Sequence, residues 1–258
     1  MYAIINLPLV PLRESDNEQS ELFSQLLFGE TVEIIEIRER WLFVRNLSDN
    51  YKGWVDRKMV YILTLSDEDR IEHENKSVVR VPVLVCTKKT LNQKMYLPGG
   101  SILHTDNDGK CTIEHDTLTF SPDDLKPVPE ITGQKVVESA FQYLNAPYLW
   151  GGKSIMGIDC SGLVQVVYGM YGMLLQRDAS EQVEKGEAID DLSESKAGDL
   201  AFFENPAGKI IHVGILLNSH QIIHASGQVK IEKIDSQGII SGQTNEYTHK
   251  LKVIKRLI

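Results

Sequence analysis

Basic residues are in short supply: 27 Lys and Arg stand against 36 Asp and Glu in 258 residues, a formal net charge of −9. Neutralising a phosphate backbone takes a basic face, so the balance argues against a general nucleic-acid binder. It argues equally against adsorption to an anionic membrane surface. No nucleic acid and no membrane is expected as a partner. Cysteine is scarce too. Cys86, Cys111 and Cys160 show no CxxC spacing and fall far short of a disulfide scaffold. Three cannot all pair within one chain, and three free thiols in a reducing compartment are expected; in an exported protein Cys86 and Cys111 would be the pair to suspect. Also missing is any apolar run near the roughly 20 residues that span a bilayer. The opening MYAIINLPLVPLRESDNEQ has no basic n-region and no A-x-A site, and two prolines interrupt its apolar stretch. It does not read as a signal peptide, which makes a cytoplasmic location the expectation.

What is present is ordinary globular composition, 42% hydrophobic and 24% charged, over a length that suits about two domains. The composition breaks at residues 121–132, SPDDLKPVPEIT, where three prolines and several acids suit an extended linker. Before it, Thr31 to Ile37 and Trp41 to Val44 are rich in β-branched and aromatic residues, separated by turn signals at Ser48-Asp49-Asn50 and Lys52-Gly53, as in a small barrel. Glu18 to Phe28 reads as either a helix face or a strand pair. Val78 to Cys86 is a strand that Pro82 confines to an edge or a bulge, and Cys111 to Glu114 is a further short strand. The reading is two small β-barrels in tandem.

After the linker, Val136, Val137, Ala140, Phe141 and Leu144 fall at helical spacing, and a second apolar helix runs from about Ser161 to Met173. Strands are expected at Asp199 to Phe203, Ile210 to Leu217 and Gln221 to Ala225. Helices followed by a run of strands make the fold class α+β. The domains so drawn are 1–63, 64–126 and 127–258.

Asp159-Cys160-Ser161-Gly162 places a cysteine where the apolar helix begins. Unpaired backbone N–H groups and the positive dipole end at a helix N-terminus favour a thiolate. Two imidazoles follow within apolar strands, His212 in Ile210–Ile215 and His224 in Ile222–Ala225. A buried imidazole needs a partner. Asn218 marks a hairpin turn between them: a three- or five-residue loop centred there sets His212 opposite His224, and a two-residue loop sets it opposite Ala225. A thiol nucleophile needs a base in reach, and the base needs a third group to orient it. Cys160, His212 and His224 supply them in that order.

Five stretches together, Tyr148-Leu149-Trp150-Gly151-Gly152, Asp159-Cys160-Ser161-Gly162-Leu163-Val164, Gly198-Asp199-Leu200-Ala201-Phe202-Phe203, His212-Val213-Gly214-Ile215 and Ile223-His224-Ala225-Ser226, resemble the NlpC-type bacterial cysteine peptidases over the last half of the chain. The resemblance implies a papain-like catalytic domain that cleaves peptidoglycan peptides. In it Cys160 is the nucleophile, His212 the base and His224 the third polar residue, while Tyr148 and the Cys160 N–H hold the oxyanion. Trp41-Leu42-Phe43-Val44 and Tyr51-Lys52-Gly53-Trp54-Val55 resemble a bacterial SH3-like domain. With Arg177-Asp178-Ala179-Ser180 they look like the subgroup that trims cytoplasmic murein peptides at the bond from γ-D-glutamate to a diamino acid, meso-diaminopimelate or L-lysine. That likeness implies a first SH3-like domain closing the cleft. It assigns Tyr51 and Asp178, with Glu21 as a further acid, to the free amine of an N-terminal L-alanine, and Asp159, Ser161 and Ser180 to the dipeptide. The second β domain lacks the Gly-Trp pair and receives an architectural role. No cofactor and no metal is implied, and the partner is a small murein peptide.

Other readings of the same residues stand beside this one. Asp178 either grips an amine, pairs with Arg177 or caps a helix starting near Ser180; Tyr51 is either a contact or an ordinary barrel aromatic. Asp199 reads as a turn residue and Trp150 as packing. At the level of function, the alternatives are a non-catalytic wall-peptide binding module, a zinc or copper site built from one cysteine and two histidines, and acyl or amide transfer through the same triad.

Overall fold

The computed structural model describes residues 1–113, 116–121 and 130–258 and divides into two units, Met1–Pro129 with Gly169–Leu174, and Glu130–Tyr168 with Leu175–Ile258. In the first unit, β1 (Tyr2–Ile4), β2 (Leu9–Arg13), β3 (Leu22–Leu27), β4 (Thr31–Arg38), β5 (Trp41–Asn46), β6 (Lys52–Asp56) and β7 (Tyr61–Ile62) form one sheet in the order β3-β2-β6-β5-β4-β1-β7. Alternation explains the strands: Leu42, Val44 and Asn46 of β5 turn to one face, and Val10, Leu12, Leu26, Leu42 and Val55 share a core. The Glu18 to Phe28 ambiguity resolves as strand β3, antiparallel to β2.

The charged stretch after Leu63 is helix α1 (Leu65–His73). Thr64 accepts from the Asp67 N–H and Asp67 accepts from the Thr64 N–H, a capping box that starts a helix with one buried residue, Ile71. Then follow β8 (Asn75–Val78), β9 (Val83–Lys88), β10 (Gln93–Pro98), β11 (Ile102–Thr105), β12 (Cys111–Ile113) and β13 (Asp116–Thr119), ordered β10-β9-β13-β12-β11-β8. Pro82 splits the expected Val78 to Cys86 strand into β8 and β9. Glu114 of the expected Cys111 to Glu114 strand lies outside the described residues, as does 122–129 of the linker. Cys86 and Cys111 are free thiols packed in a core with Leu97, Leu103 and Phe28.

The second unit opens with α2 (Gly133–Phe141), capped by the Thr132 hydroxyl accepting from the Lys135 N–H. A small hairpin, β14 (Lys153–Ser154) with β15 (Gly157–Ile158), leads into α3 (Cys160–Gly169), whose first nine residues are buried. A helix apolar all round belongs in a protein interior. After α4 (Ala179–Gln182) come β16 (Glu187–Ile189), β17 (Leu200–Glu204), β18 (Ile210–Asn218), β19 (Gln221–Ser226), β20 (Gln228–Ile234), β21 (Gly238–Ile240) and β22 (Tyr247–Arg256). They run β16-β22-β17-β18-β19-β20-β21 with antiparallel pairing throughout, and β21 also pairs with β22. Asp199 does more than turn the chain before β17: its carboxylate takes the Arg256 guanidinium at 2.9 and 2.6 Å. Among the described residues no helix is long and apolar enough to cross a membrane.

Candidate active site

Cys160 is the first residue of α3 and is buried. Asp159 stands one position before it as the helix cap, its Oδ1 accepting from the Gly162 N–H at 2.7 Å and its Oδ2 from the Gly151 N–H at 2.8 Å. Gly162 is required here because a Cβ would stand 2.3 Å from the Gly152 carbonyl oxygen and 2.9 Å from Asp159 Oδ1. Arg177, 2% exposed, completes the support: its guanidinium bonds both Asp159 oxygens and donates to Ser161 Oγ at 2.7 Å. The Asp159 carboxylate is thus turned into the protein, holding the loop and helix that carry Cys160. Gln182 of α4 donates to the Ser161 carbonyl at 3.1 Å and sets α4 beside the start of α3.

The placement at a helix start predicts a lowered thiol pKa. Burial outweighs it. Desolvation first, and then the Asp159 charge, push the Cys160 thiol up to about 11, against N–H groups of Val213 and Ser161 that favour the thiolate. Val213 also locates the sulfur, since it follows His212 on β18.

His212 and His224 are both buried, and His212 Nε2 lies 2.9 Å from His224 Nδ1. Their register differs from both sequence-based alternatives. Asn218 pairs with Gln221 around a two-residue loop, a bulge follows at Leu217, and Leu216 then pairs with Ile222 and Ile215 with Ile223. Continued outward, this register sets Gly214 across from His224, with His212 one step along the same face. A two-residue offset preserves the face, so the imidazoles meet diagonally. Gly214 makes room for that contact: a Cβ there would lie 2.9 Å from the His224 Cβ.

Three residues that sequence reasoning missed support the site, two beside the histidine pair and one behind Asp159. Glu232 of β20 receives His224 Nε2 at 2.9 Å from Oε2, while its Oε1 accepts from the Gly242 N–H at 3.1 Å and lies 3.2 Å from Lys230 Nζ. His249 of β22 stacks on His212 with centroids 4.1 Å apart and rings 27° from parallel. Arg177 is the third. A signal for Glu232 was present in Val229-Lys230-Ile231-Glu232-Lys233-Ile234, whose alternation carries an acid on the face that ends in buried Ile234. Burial, and then neighbouring His249, His224 and Lys230, drive His212 well below its ordinary 6.5. Burial lowers His249 to about 4 and also lowers His224, partly offset by Glu232. For Glu232 burial acts upward, but hydrogen bonds from His224, Gly242 and Lys230 prevail and hold it at about 2.

Tyr148 is half-buried, and burial followed by the proximity of Cys160 and Asp159 raises its phenol to about 12, so it stays a donor. Asp178 and Ser180 are exposed at the start of α4; Asp178 occupies the cap position with no side-chain capping hydrogen bond, while Arg177 is committed to Asp159 and Ser161. Trp150, expected as packing, is 60% exposed. Tyr51 and Glu21 belong to the first unit. There Tyr51 packs against the β-sheet core and meets Phe23 edge-on at 6.3 Å, and Glu21 is exposed beside β3. Among the described residues no cluster of three or more His, Cys, Asp or Glu is placed to hold a metal ion.

A thiol at a helix start, a histidine pair on adjacent strands and a phenol beside the thiol make the layout of a thiol hydrolase. The chain belongs to the NlpC/P60 family, whose pattern matches residues 145–248, and residues 12–59 match the bacterial dipeptidyl-peptidase SH3 domain. It is 28% identical to dipeptidyl-peptidase 6 of Lysinibacillus sphaericus over 92% of this chain and 93% of that one. It is 26% identical to a gamma-D-glutamyl-L-lysine dipeptidyl-peptidase of Bacillus cereus over 86% of this chain and 73% of that one. A probable endopeptidase NlpC homolog of Haemophilus influenzae is 33% identical over 54% of this chain and 72% of its own. In fold, an NlpC/P60 family protein from Bacillus cereus superposes with a TM-score of 0.85 at 17% identity, covering 100% of this chain and 99% of that one.

Proposed function

We propose that this NlpC/P60 cysteine peptidase hydrolyses the γ-D-glutamyl–diamino acid bond of small murein peptides that carry a free N-terminal L-alanine. The observation that carries the reading is the buried His212–His224 pair at 2.9 Å, with His212 on the strand whose Val213 N–H faces the Cys160 sulfur. Cys160 passes its proton to His212 as the sulfur attacks the γ-carbonyl carbon of D-glutamate. The Cys160 N–H and the Tyr148 phenol receive the oxyanion. As the C–N bond breaks, His212 returns the proton to the departing amine and a thioester remains on Cys160. His212 then takes a proton from water, hydroxide attacks the thioester, and the dipeptide leaves as the thiol is restored.

The preference for a free amine rests on the resemblance of the Arg177–Ser180 segment to its counterparts and on the exposed Asp178 carboxylate at the start of α4. Carboxylates around an ammonium make charge-assisted hydrogen bonds, and a blocked amine leaves them unpaired. Mass spectrometry of L-Ala-γ-D-Glu-L-Lys and its meso-diaminopimelate counterpart, each beside its N-acetylated form, tests the reading. Dipeptide release from the free peptides alone is expected. Equal cleavage of free and blocked peptides removes the amine preference, and cleavage of none removes the substrate class. Recycling of murein peptides in the cytoplasm is the setting this specificity suits.

A further inference from the structure

We propose that Glu232 is a positioning residue that fixes, through His224, which nitrogen of His212 carries the proton. This rests on the reading that His212 is the base for Cys160. Sequence logic for such a site ends at the third residue, yet here the third residue is itself an imidazole, and an imidazole can be either donor or acceptor at each nitrogen. Something must break that symmetry.

Glu232 is placed to do so. Its Oε1 is taken by the Gly242 N–H at 3.1 Å and faces Lys230 Nζ at 3.2 Å, which leaves Oε2 for His224 Nε2 at 2.9 Å. An ionised carboxylate only accepts, so His224 Nε2 must carry a hydrogen. The other nitrogen of neutral His224, Nδ1, is then an acceptor, and it lies 2.9 Å from His212 Nε2. His212 therefore donates from Nε2, and its lone pair is left on Nδ1, the nitrogen not spent on His224. The His224–Glu232 link is nearly dry, with exposures of 0% and 5%, so water does not substitute for it. A histidine held in the wrong tautomer has no lone pair to take the nucleophile's proton, although its position is unchanged.

Glu232→Gln tests this because it keeps shape and changes polarity. Two donors, one of them the Lys230 ammonium, claim the amide oxygen at the Oε1 position, which presents the amide NH2 to His224 Nε2. His224 then carries its hydrogen on Nδ1 and donates to His212 Nε2, which moves the His212 hydrogen to Nδ1. Two-bond 1H–15N spectra of 15N-histidine protein read both tautomers without substrate, and are recorded in Cys160→Ala as well. Nε2–H on both histidines is expected in the unaltered protein, and Nδ1–H on both in Glu232→Gln. In the turnover assay Glu232→Gln is expected to lower kcat by about 10³–10⁴-fold with little change in KM, as for other wrong-tautomer substitutions. Glu232→Asp, which still accepts, is expected to keep the Nε2–H tautomers and much of the rate. Unchanged tautomers in Glu232→Gln overturn the proposal, as does a tautomer switch that leaves kcat intact. If the unaltered protein cleaves no peptide, the proposed function fails while the spectra still decide whether Glu232 sets the tautomers.

Discussion

Gly214→Ala is a one-methyl test of how the histidine pair is built. The added Cβ would stand 2.6 Å from Ile222 Cδ1 and 2.9 Å from the His224 Cβ. Ordinary carbon contacts lie at about 3.5–4.0 Å, so His224 must retreat by about 0.6–1 Å. The Ile222 tip can rotate away, but the His224 Cβ is tied to the backbone of β19 and can move only with its strand. A retreat of that size stretches the 2.9 Å His212–His224 bond to about 3.5 Å or beyond, past useful hydrogen-bond range. Overpacking of this kind costs about 1–3 kcal/mol of stability, and a 1 Å error near the chemistry costs about 10²-fold in rate. Urea unfolding and kcat on the murein tripeptide measure the two effects separately. A folded Gly214→Ala protein whose kcat stays within about threefold of the parent, less than about 1 kcal/mol of barrier, refutes the reasoning.

Two further outcomes follow from the buried charges. Arg177→Ala leaves the Asp159 carboxylate, 4% exposed, without its guanidinium and is expected to cost about 3–5 kcal/mol in denaturant unfolding; a loss below about 1 kcal/mol, the range of exposed pairs, contradicts that role. The histidines set the acid side of stability: His212, His224, His249 and His104 all sit below 6.5 when folded, so the unfolded chain binds more protons and stability falls as pH drops below 6.5. Glu232, held at about 2, adds a further loss below its ordinary 4.5. On the alkaline side the thiols of Cys86, Cys111 and Cys160, raised to about 11, 12 and 11 from 9.0, withdraw stability as pH rises past 9. Unfolding midpoints across the pH range check both limbs, and a flat profile between about pH 4 and 6.5 contradicts the acid one.

The helix beginning at Cys160 and the strands bearing His212 and His224 were legible because each is a strong apolar run with a polar residue out of place. Other elements were hidden for identifiable reasons. Helix α1 buries Ile71 alone, so its signal was the Thr64–Asp67 cap rather than an apolar stripe. The Glu18 to Phe28 segment offered Leu22, Phe23, Leu26 and Leu27 to either period, and pairing with β2 decided for a strand. The histidine register depended on a bulge at Leu217, which composition does not announce. Glu232 sits among Lys230 and Lys233 and Arg177 beside Asp178, and charges in such company read as solvated until the fold shows them buried. Nor did the sequence announce how enclosed the Cys160 sulfur is, and burial pushes its thiol up.

Cys160 stands at the centre of the proposed chemistry as the residue that performs the bond cleavage. Incubating the unaltered protein and Cys160→Ala with L-Ala-γ-D-Glu-L-Lys and with its meso-diaminopimelate counterpart, and following L-Ala-γ-D-Glu by mass spectrometry, tests that role most directly. Dipeptide from the unaltered protein and none from a folded Cys160→Ala is the expected result. Dipeptide released at equal rates by both would contradict it.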